Sequence, residues 1–491
     1  MRALMVQGTS SWAGKSLIAT ALCRHLARQG LRVAPFKAQN MSNNARVVEG
    51  GEIGAAQYLQ ALAARTAPDV RMNPVLVKPE GMTRSQVVLL GKPDPEITAR
   101  PWRERAPRLW PTVLESLESL LAAYDVVVLE GAGSPAEINL MDVDMTNARA
   151  AAAADASVLL VADIDRGGAF AHLYGTWALV PSEARQRLRG FVLNKFRGDV
   201  SLLAPAPERI SKATGIPVIG VVPWFQHELP DEDGAGKPGV SGPPPTSVVA
   251  VIRYPFASNL DEFKPLEQVA AVRWAQAPED LDGADLVILP GSKHVASDLL
   301  WLRSAGLDLT VGARAQAGAR VLGICGGLQM LGLRLHDPYG VDGTAEGLGL
   351  LPIETTFERE KVTRRGAYRF ASTLLPPWAE LANQAVEGYE IRHGHTRSLP
   401  AARAAMPGGL AWADGSVLGV AVHGVLENWN VLQALFGRVP EHSLDSSLDR
   451  LTDVVMANLD ARFVEGLVGL HLASRTGSRH RAAQSQTSHA L

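Results

Sequence analysis

Short apolar or β-branched runs punctuate the first half of the chain at 3–7, 32–36, 126–129, 158–162, 191–193 and 218–222. Stretches of helical period lie between several of them, such as 16–29 and 112–123. Strands alternating with helices predict a parallel sheet covered on both faces. The pattern breaks at 226–247, which contains HELPDEDGAGKPGVSGPPPTS, rich in Pro, Gly and acidic residues. Such a stretch has too little apolar surface to order itself and reads as a linker. A new strand pattern opens at 248–253, and buried-strand signals follow at 286–289, 320–323 and 419–422. The expected fold is therefore two doubly wound α/β domains, 1–225 and 248–440, joined by a Pro/Gly-rich linker. A helical extension is expected over 441–473. The polar, aperiodic residues 474–491 are expected to be a disordered tail.

Composition narrows the classes. Apolar residues make up 46% and charged residues 20% of 491, enough for sizeable cores. The formal net charge is −2, so no global attraction to nucleic acid or to an anionic membrane is expected. No apolar run reaches ~18 residues, so no membrane-spanning helix is expected. The first residues are too short an apolar run for a signal peptide. The two cysteines, Cys23 and Cys325, supply neither a disulfide framework nor a Cys-rich metal site. A cytoplasmic location follows as the expectation.

The first chemical signal is the stretch from Gly8 and Thr9 to Gly14-Lys15-Ser16, placed between a predicted strand and a predicted helix. In that context backbone N–H groups and a helix N-terminus cradle phosphates. Lys15 would reach the β/γ-phosphates and the Ser16 hydroxyl would hold Mg²⁺. The alternative is a Gly/Ser turn that caps a helix. Magnesium also needs carboxylates. Glu130, ending VVVLEGAG, sits at a strand's carboxyl end, where ligands bind. Glu52 in GGEIG is a second candidate ligand, and Asp163 and Asp165 in VADIDRGG could face the same mouth. Asn194 in FVLNKFRGD matches the donor–acceptor edge of adenine. Arg197 stands where a GTPase N-K-x-D motif requires Asp, which favours ATP over GTP. The amide-dense PFKAQNMSNN follows a strand and suits a polar ligand, with Lys37 adding charge near a phosphate or carboxylate.

The second signal is Cys325 in VLGICGGLQMLG: an apolar strand, the thiol, two glycines and an amphipathic helix. That is the arrangement of a nucleophile elbow, where neighbouring backbone N–H groups can hold an oxyanion. A helix N-terminus there favours the thiolate. The expected base is His423 in GVAVHGVLEN, a thiol–imidazole pair. His393 and His395, in YEIRHGHT, are rivals in what reads as a ligand-binding loop. The loop Leu289-Pro-Gly-Ser-Lys293 is expected to lend a second oxyanion donor.

The phosphate-loop, Glu130 and Asn194 segments together resemble dethiobiotin-synthetase-like ATPases. GICGGLQMLG with VHG resembles class I glutamine amidotransferases. Joined in this order they are similar to the cobyrinic/cobyric acid synthases of cobalamin biosynthesis. PFKAQNMSNN, GGEIGAAQ, NPVLVKP, SQVVLLGK, LNKFRGD and GYEIRHG point to the cobyric acid branch. The resemblance spans about 1–440. It implies that glutamine is hydrolysed at Cys325 and that ATP activates a corrinoid carboxylate for attack by ammonia. In that branch the b, d, e and g carboxylates of adenosylcobyrinic acid a,c-diamide are amidated. Corrinoid and glutamine are thus the expected small-molecule partners, and homo-oligomerisation stays open. Some positions depart from the family pattern: Trp12, His294, Arg392 and His395. Val425 replaces the Glu usual two residues after the base, so a Cys–His pair without an orienting carboxylate is expected, and Glu427 cannot be placed. The alternatives are the sibling enzyme amidating a and c, against which PFKAQNMSNN argues, and a partitioning-type ATPase with a non-catalytic C-terminal domain. That ATPase would need a Lys where Ser10 stands.

Overall fold

The computed structural model describes residues 2–80, 84–230 and 247–470. Most of the expected linker and all of the expected tail lie outside them.

Six strands build the N-terminal sheet: β1 (Ala3–Gly8), β2 (Val33–Phe36), β3 (Val126–Glu130), β4 (Ser157–Asp163), β5 (Leu188–Phe196) and β6 (Val218–Pro223). Their order is β6-β5-β4-β1-β3-β2, parallel throughout, and each corresponds to an expected run. Along β1 successive side chains serve opposite faces: Ala3 and Met5 enter one core, Leu4 and Val6 the other. The same alternation at Val126–Leu129 shows why the sequence reads as continuous apolar runs, since both faces are covered. Helix Lys15–Arg28 covers one face, and helix Trp102–Ala123, ten residues longer at its start than the expected 112–123, covers the other.

The second sheet has seven strands: β7 (Val248–Ile252), β8 (Ala271–Ala275), β9 (Leu286–Leu289), β10 (Arg320–Ile324), β11 (Arg403–Met406), β12 (Ala411–Asp414) and β13 (Val417–Val420). The order is β8-β7-β9-β10-β13-β12-β11, parallel through β13 and antiparallel at the β12 and β11 edge. An antiparallel pair, Ile353–Arg369 with Ala385–Ser398, projects from this domain. His393 and His395 therefore sit on a β-strand, not in the loop expected for them.

The chain then returns to where it began. Helix Leu444–Ala457 follows the second domain in sequence, yet Leu448, Leu451 and Val455 complete the core over helix Lys15–Arg28. Arg24, fully buried, donates to Asp445 and Asp449 at 2.5 and 2.7 Å. The two α/β units are also stitched directly by Asn44, Arg46, Glu52 and Glu80 on the N-terminal side.

Candidate active sites

Strand β10, Cys325 and the helix Gly326–Leu331 follow one another directly. Cys325 follows β10 with φ +51°, a left-handed conformation that costs a β-substituted residue on the order of 1–3 kcal/mol and persists only where packing enforces it. The packing is close indeed: a Cβ on Gly327 would stand 1.9 Å from the Leu289 carbonyl oxygen, so the residues after the thiol must be small. A Cβ on Gly326 would stand 2.7 Å from the Ser292 nitrogen, which brings the Gly291–Ser292 loop against the elbow.

His423 is the imidazole of this site. Its side chain is buried beside the Cys325 sulfur, which favours the charged imidazole, while Cys325 Sγ itself donates to the Ile391 carbonyl at 3.5 Å. Its Nδ1 lies 2.8 Å from Oε1 of Glu262, whose Oε2 accepts the Gly424 N–H at 2.6 Å. This corrects the expectation of a pair without a carboxylate. The third member comes from the 3-10 helix Leu260–Gln268 and not from the position two after the histidine. With Nδ1–H donated to Glu262, Nε2 is the nitrogen left for the thiol. Burial works against a charged imidazole, but the Glu262 carboxylate and the Cys325 sulfur outweigh it and push the His423 pKa up to about 10. Tyr389 stacks on the imidazole, ring centroids 5.3 Å apart. Glu427, unplaced by sequence, pairs with Arg46 of the other domain at 2.5 Å.

In the N-terminal domain Gly14 caps helix Lys15–Arg28 at φ +98°, and a Cβ there would lie 2.0 Å from Asn194 Nδ2. A Cβ on Gly8 would lie 2.9 Å from the Lys15 stem, and the Thr9 hydroxyl oxygen is buried without a partner. Lys15 Nζ donates to the carbonyls of Ser10 and Gly133 at 2.9 and 3.1 Å. Ser16 Oγ donates to Glu130 Oε1 at 2.9 Å, Lys37 Nζ reaches the same oxygen at 2.8 Å, and Gln60 Nε2 reaches Oε2 at 2.5 Å. Ser16, Lys37 and Glu130 are thus one cluster beside Lys15. The Ser16 hydroxyl and the Glu130 carboxylate are hard oxygen donors with the Lys15 and Lys37 ammonium groups beside them, a set that fits a nucleotide-bound Mg²⁺.

Two expected residues take other places. Glu52 joins a different cluster: its oxygens pair with Lys78 at 2.6 Å and with Lys361 of the second domain at 2.5 Å. Glu52 is thus held by ammonium groups, apart from the Ser16–Lys37–Glu130 cluster. Burial would raise its pKa, but Lys361 and Lys78 hold it down to about 2. Asn194 does sit at the site, but its Nδ2 donates to the Ala13 carbonyl at 2.9 Å, propping the phosphate loop. Asp163 and Asp165 pair with Lys195 and Arg197 at the same mouth.

A cavity of about 840 Å³ opens between the domains. Lys15, Asn194, Asp163 and Trp224 line it from one side, and Lys264 and Trp429 from the other. No helix among the described residues is long and apolar enough to cross a membrane.

Comparison with known proteins agrees with both halves. The CobQ/CobB/MinD/ParA nucleotide binding domain model matches residues 4–234, and the CobB/CobQ-like glutamine amidotransferase domain model matches 248–431. The chain is 57% identical to a cobyric acid synthase of Variovorax paradoxus (strain S110), over 95% of this chain and 99% of that one. It is 53% identical to one of Polaromonas sp. (strain JS666 / ATCC BAA-500), over 95% and 98%, and 54% identical to one of Polaromonas naphthalenivorans (strain CJ2), over 95% and 99%. With both domains matched and the likeness running nearly end to end, this chain belongs to the cobyric acid synthase family of ATP-dependent, glutamine-hydrolysing amidotransferases.

Proposed function

We propose that the chain amidates the b, d, e and g carboxylates of adenosylcobyrinic acid a,c-diamide, using glutamine and ATP. The observation that carries this reading is the pairing, in one chain, of a buried Cys325–His423–Glu262 constellation with a phosphate loop that lines a large interdomain cavity.

At the first site the Cys325 thiolate attacks the glutamine carboxamide carbon. Backbone N–H groups of Ser292 and Gly326 receive the oxyanion. His423 Nε2 gives its proton to the departing nitrogen, and ammonia leaves. A water then attacks the thioester while His423 takes its proton, releasing glutamate. Glu262 keeps the imidazole in the required tautomer and stabilises its charge. At the second site a corrinoid carboxylate oxygen attacks the γ-phosphorus of ATP and ADP leaves. A carboxylate is a poor electrophile, and the acyl phosphate gives it a leaving group. Ammonia attacks the acyl carbon, phosphate departs, and the amide forms. Gly8, Thr9, Gly14 and Lys15 cradle the phosphates, Lys37 adds charge beside them, and the adenine amino group is assigned to Asn194 Oδ1. Ser16 and Glu130 would hold Mg²⁺, which when bound neutralises phosphate oxygens.

The test is incubation with the a,c-diamide, ATP and glutamine, followed by mass spectrometry. Four successive OH-to-NH₂ exchanges are expected. No exchange on the a,c-diamide, with exchange at a and c of the unsubstituted acid, would overturn the assignment.

A further inference from the structure

Arg46 belongs to the N-terminal domain, on strand Ala45–Val48, yet its guanidinium is buried against the second domain. Nε donates to Asp261 Oδ2 at 2.7 Å, and Nη2 reaches the same oxygen. Nη1 and Nη2 also donate to the two oxygens of Glu427, at 2.9 and 2.5 Å. The cation lies 5.2 Å from the Tyr389 ring centroid, and Tyr389 is the ring stacked on His423 with planes 17° apart.

Asp261 precedes Glu262 in the chain, is itself buried, and its Oδ1 has no partner. Its charge therefore depends on Arg46. A buried carboxylate without a counter-ion is strongly unfavourable, and here it would stand beside the carboxylate that orients the imidazole. The backbone around Tyr389 is tied to the same place: His423 N–H donates to the Tyr389 carbonyl at 2.8 Å, and Asn259 Nδ2 donates at 2.9 Å both to Tyr389 Oη and to the Ala45 carbonyl.

We propose that Arg46 is a positioning residue of the glutaminase supplied by the N-terminal domain: by holding Asp261 and Tyr389 it fixes Glu262 and the ring of His423. The inference rests on the glutaminase half of the proposed function and deepens it. Glutamine hydrolysis then requires the docked N-terminal domain even though that domain provides no reacting atom for it.

The experiment uses the full chain and glutamine alone, with glutamate release followed across pH. For Arg46→Met, kcat falls about tenfold or more while KM changes little, the loss expected when a buried carboxylate loses its only counter-ion. Both limbs of the pH profile move upward, because a positive charge that favoured thiolate and opposed imidazolium is gone. The double variant Arg46→Met/Asp261→Asn removes the stranded buried charge but does not restore the cation over Tyr389, so it regains part of kcat and its limbs move back toward the parent's. Asp261→Asn alone keeps the guanidinium over Tyr389 and moves the limbs downward, which tests the idea even where Arg46→Met does not fold. Unmoved limbs in Arg46→Met and Asp261→Asn would overturn the proposal, as would a double variant no better than Arg46→Met. A parent that hydrolyses no glutamine would overturn the glutaminase reading with it. A parent that hydrolyses glutamine but never amidates the corrinoid overturns only the substrate reading, because this assay contains none.

Discussion

The two reactive centres of the molecule are built on opposite terms. In the second domain Cys325, His423 and Glu262 are buried, and His423 is already hydrogen-bonded to Glu262. In the first, Lys15 rests on two backbone carbonyls, and Ser16 and Lys37 share one oxygen of Glu130, at the wall of an open cavity. The difference follows from what each must do. A thiolate–imidazolium pair gains from preorganised partners and excluded water. A phosphate site must admit a multiply charged ligand, so its ammonium and hydroxyl groups rest on contacts they can exchange for phosphate oxygens. One centre is finished before its substrate arrives, and the other is finished by it.

The sharpest way to break this comparison is to remove one centre and watch the other. Cys325→Ala should abolish glutamine-driven amidation, by more than about a thousandfold, because the nucleophile has no substitute. Amidation driven by ammonium salts should persist. Equal loss with both nitrogen donors would mean the centres are not separate. Lys15→Ala should lower amidation by about a hundred- to a thousandfold with either donor, since it removes a preplaced charge from the transferring phosphoryl group. Basal glutaminase should remain close to the parent's, and unchanged amidation would rule out the phosphate-loop role.

How much of this was legible in the sequence depended on chain distance. The phosphate loop and the elbow are local, and strand, tight turn and helix are contiguous residues, so their geometry could be read directly. The contrast between the cysteines was also readable. Cys23 lies mid-helix, with burial raising its pKa, whereas Cys325 stands between glycines at a strand end. Glu262 was not legible, because it reaches His423 across 161 positions, far from the place two residues after the histidine where the family pattern puts it. The available signal was the acidic pair Asp261-Glu262, in the segment between the strands at 248–252 and 271–275. The surroundings of Glu52 were hidden for a similar reason. GGEIG looks like a ligand-bearing turn, but its partners Lys78 and Lys361 come from distant strands of both domains. The return of helix Leu444–Ala457 to the first core was equally hidden, since no local pattern says which face an amphipathic helix will cover.

Glu262→Gln sharpens the comparison within the preassembled centre. The amide keeps the shape but removes the charge, so glutaminase should fall about a hundredfold with little change in KM. The direction on pH is fixed by the same charge. Glu262 helps hold the imidazolium up to about pH 10, so its loss should move the alkaline limb of glutamate release downward. An alkaline limb that stays in place would show that the carboxylate does not act on His423.

The smallest effect on turnover, and the one that tests how the two centres are held together, concerns Glu52. Its carboxyl titrates near 2 in the folded chain against an ordinary 4.5, because ammonium groups from both domains surround it. A carboxylate whose pKa is depressed by folding contributes stability that is present above its unfolded pKa and lost as the pH falls through the folded one. The window is therefore about pH 4.5 down to 2, and the contribution lapses as the proton binds. Denaturant melts of the parent across that window should show this loss. Glu52→Gln should start lower at neutral pH and be flatter below 4.5, because the group that titrates is gone. Parallel acid profiles for the two proteins would mean that the Lys78–Glu52–Lys361 bridge does not bind the domains. The dependence of the glutaminase on a docked neighbour would then rest on Arg46 and its hydrogen-bonded surroundings.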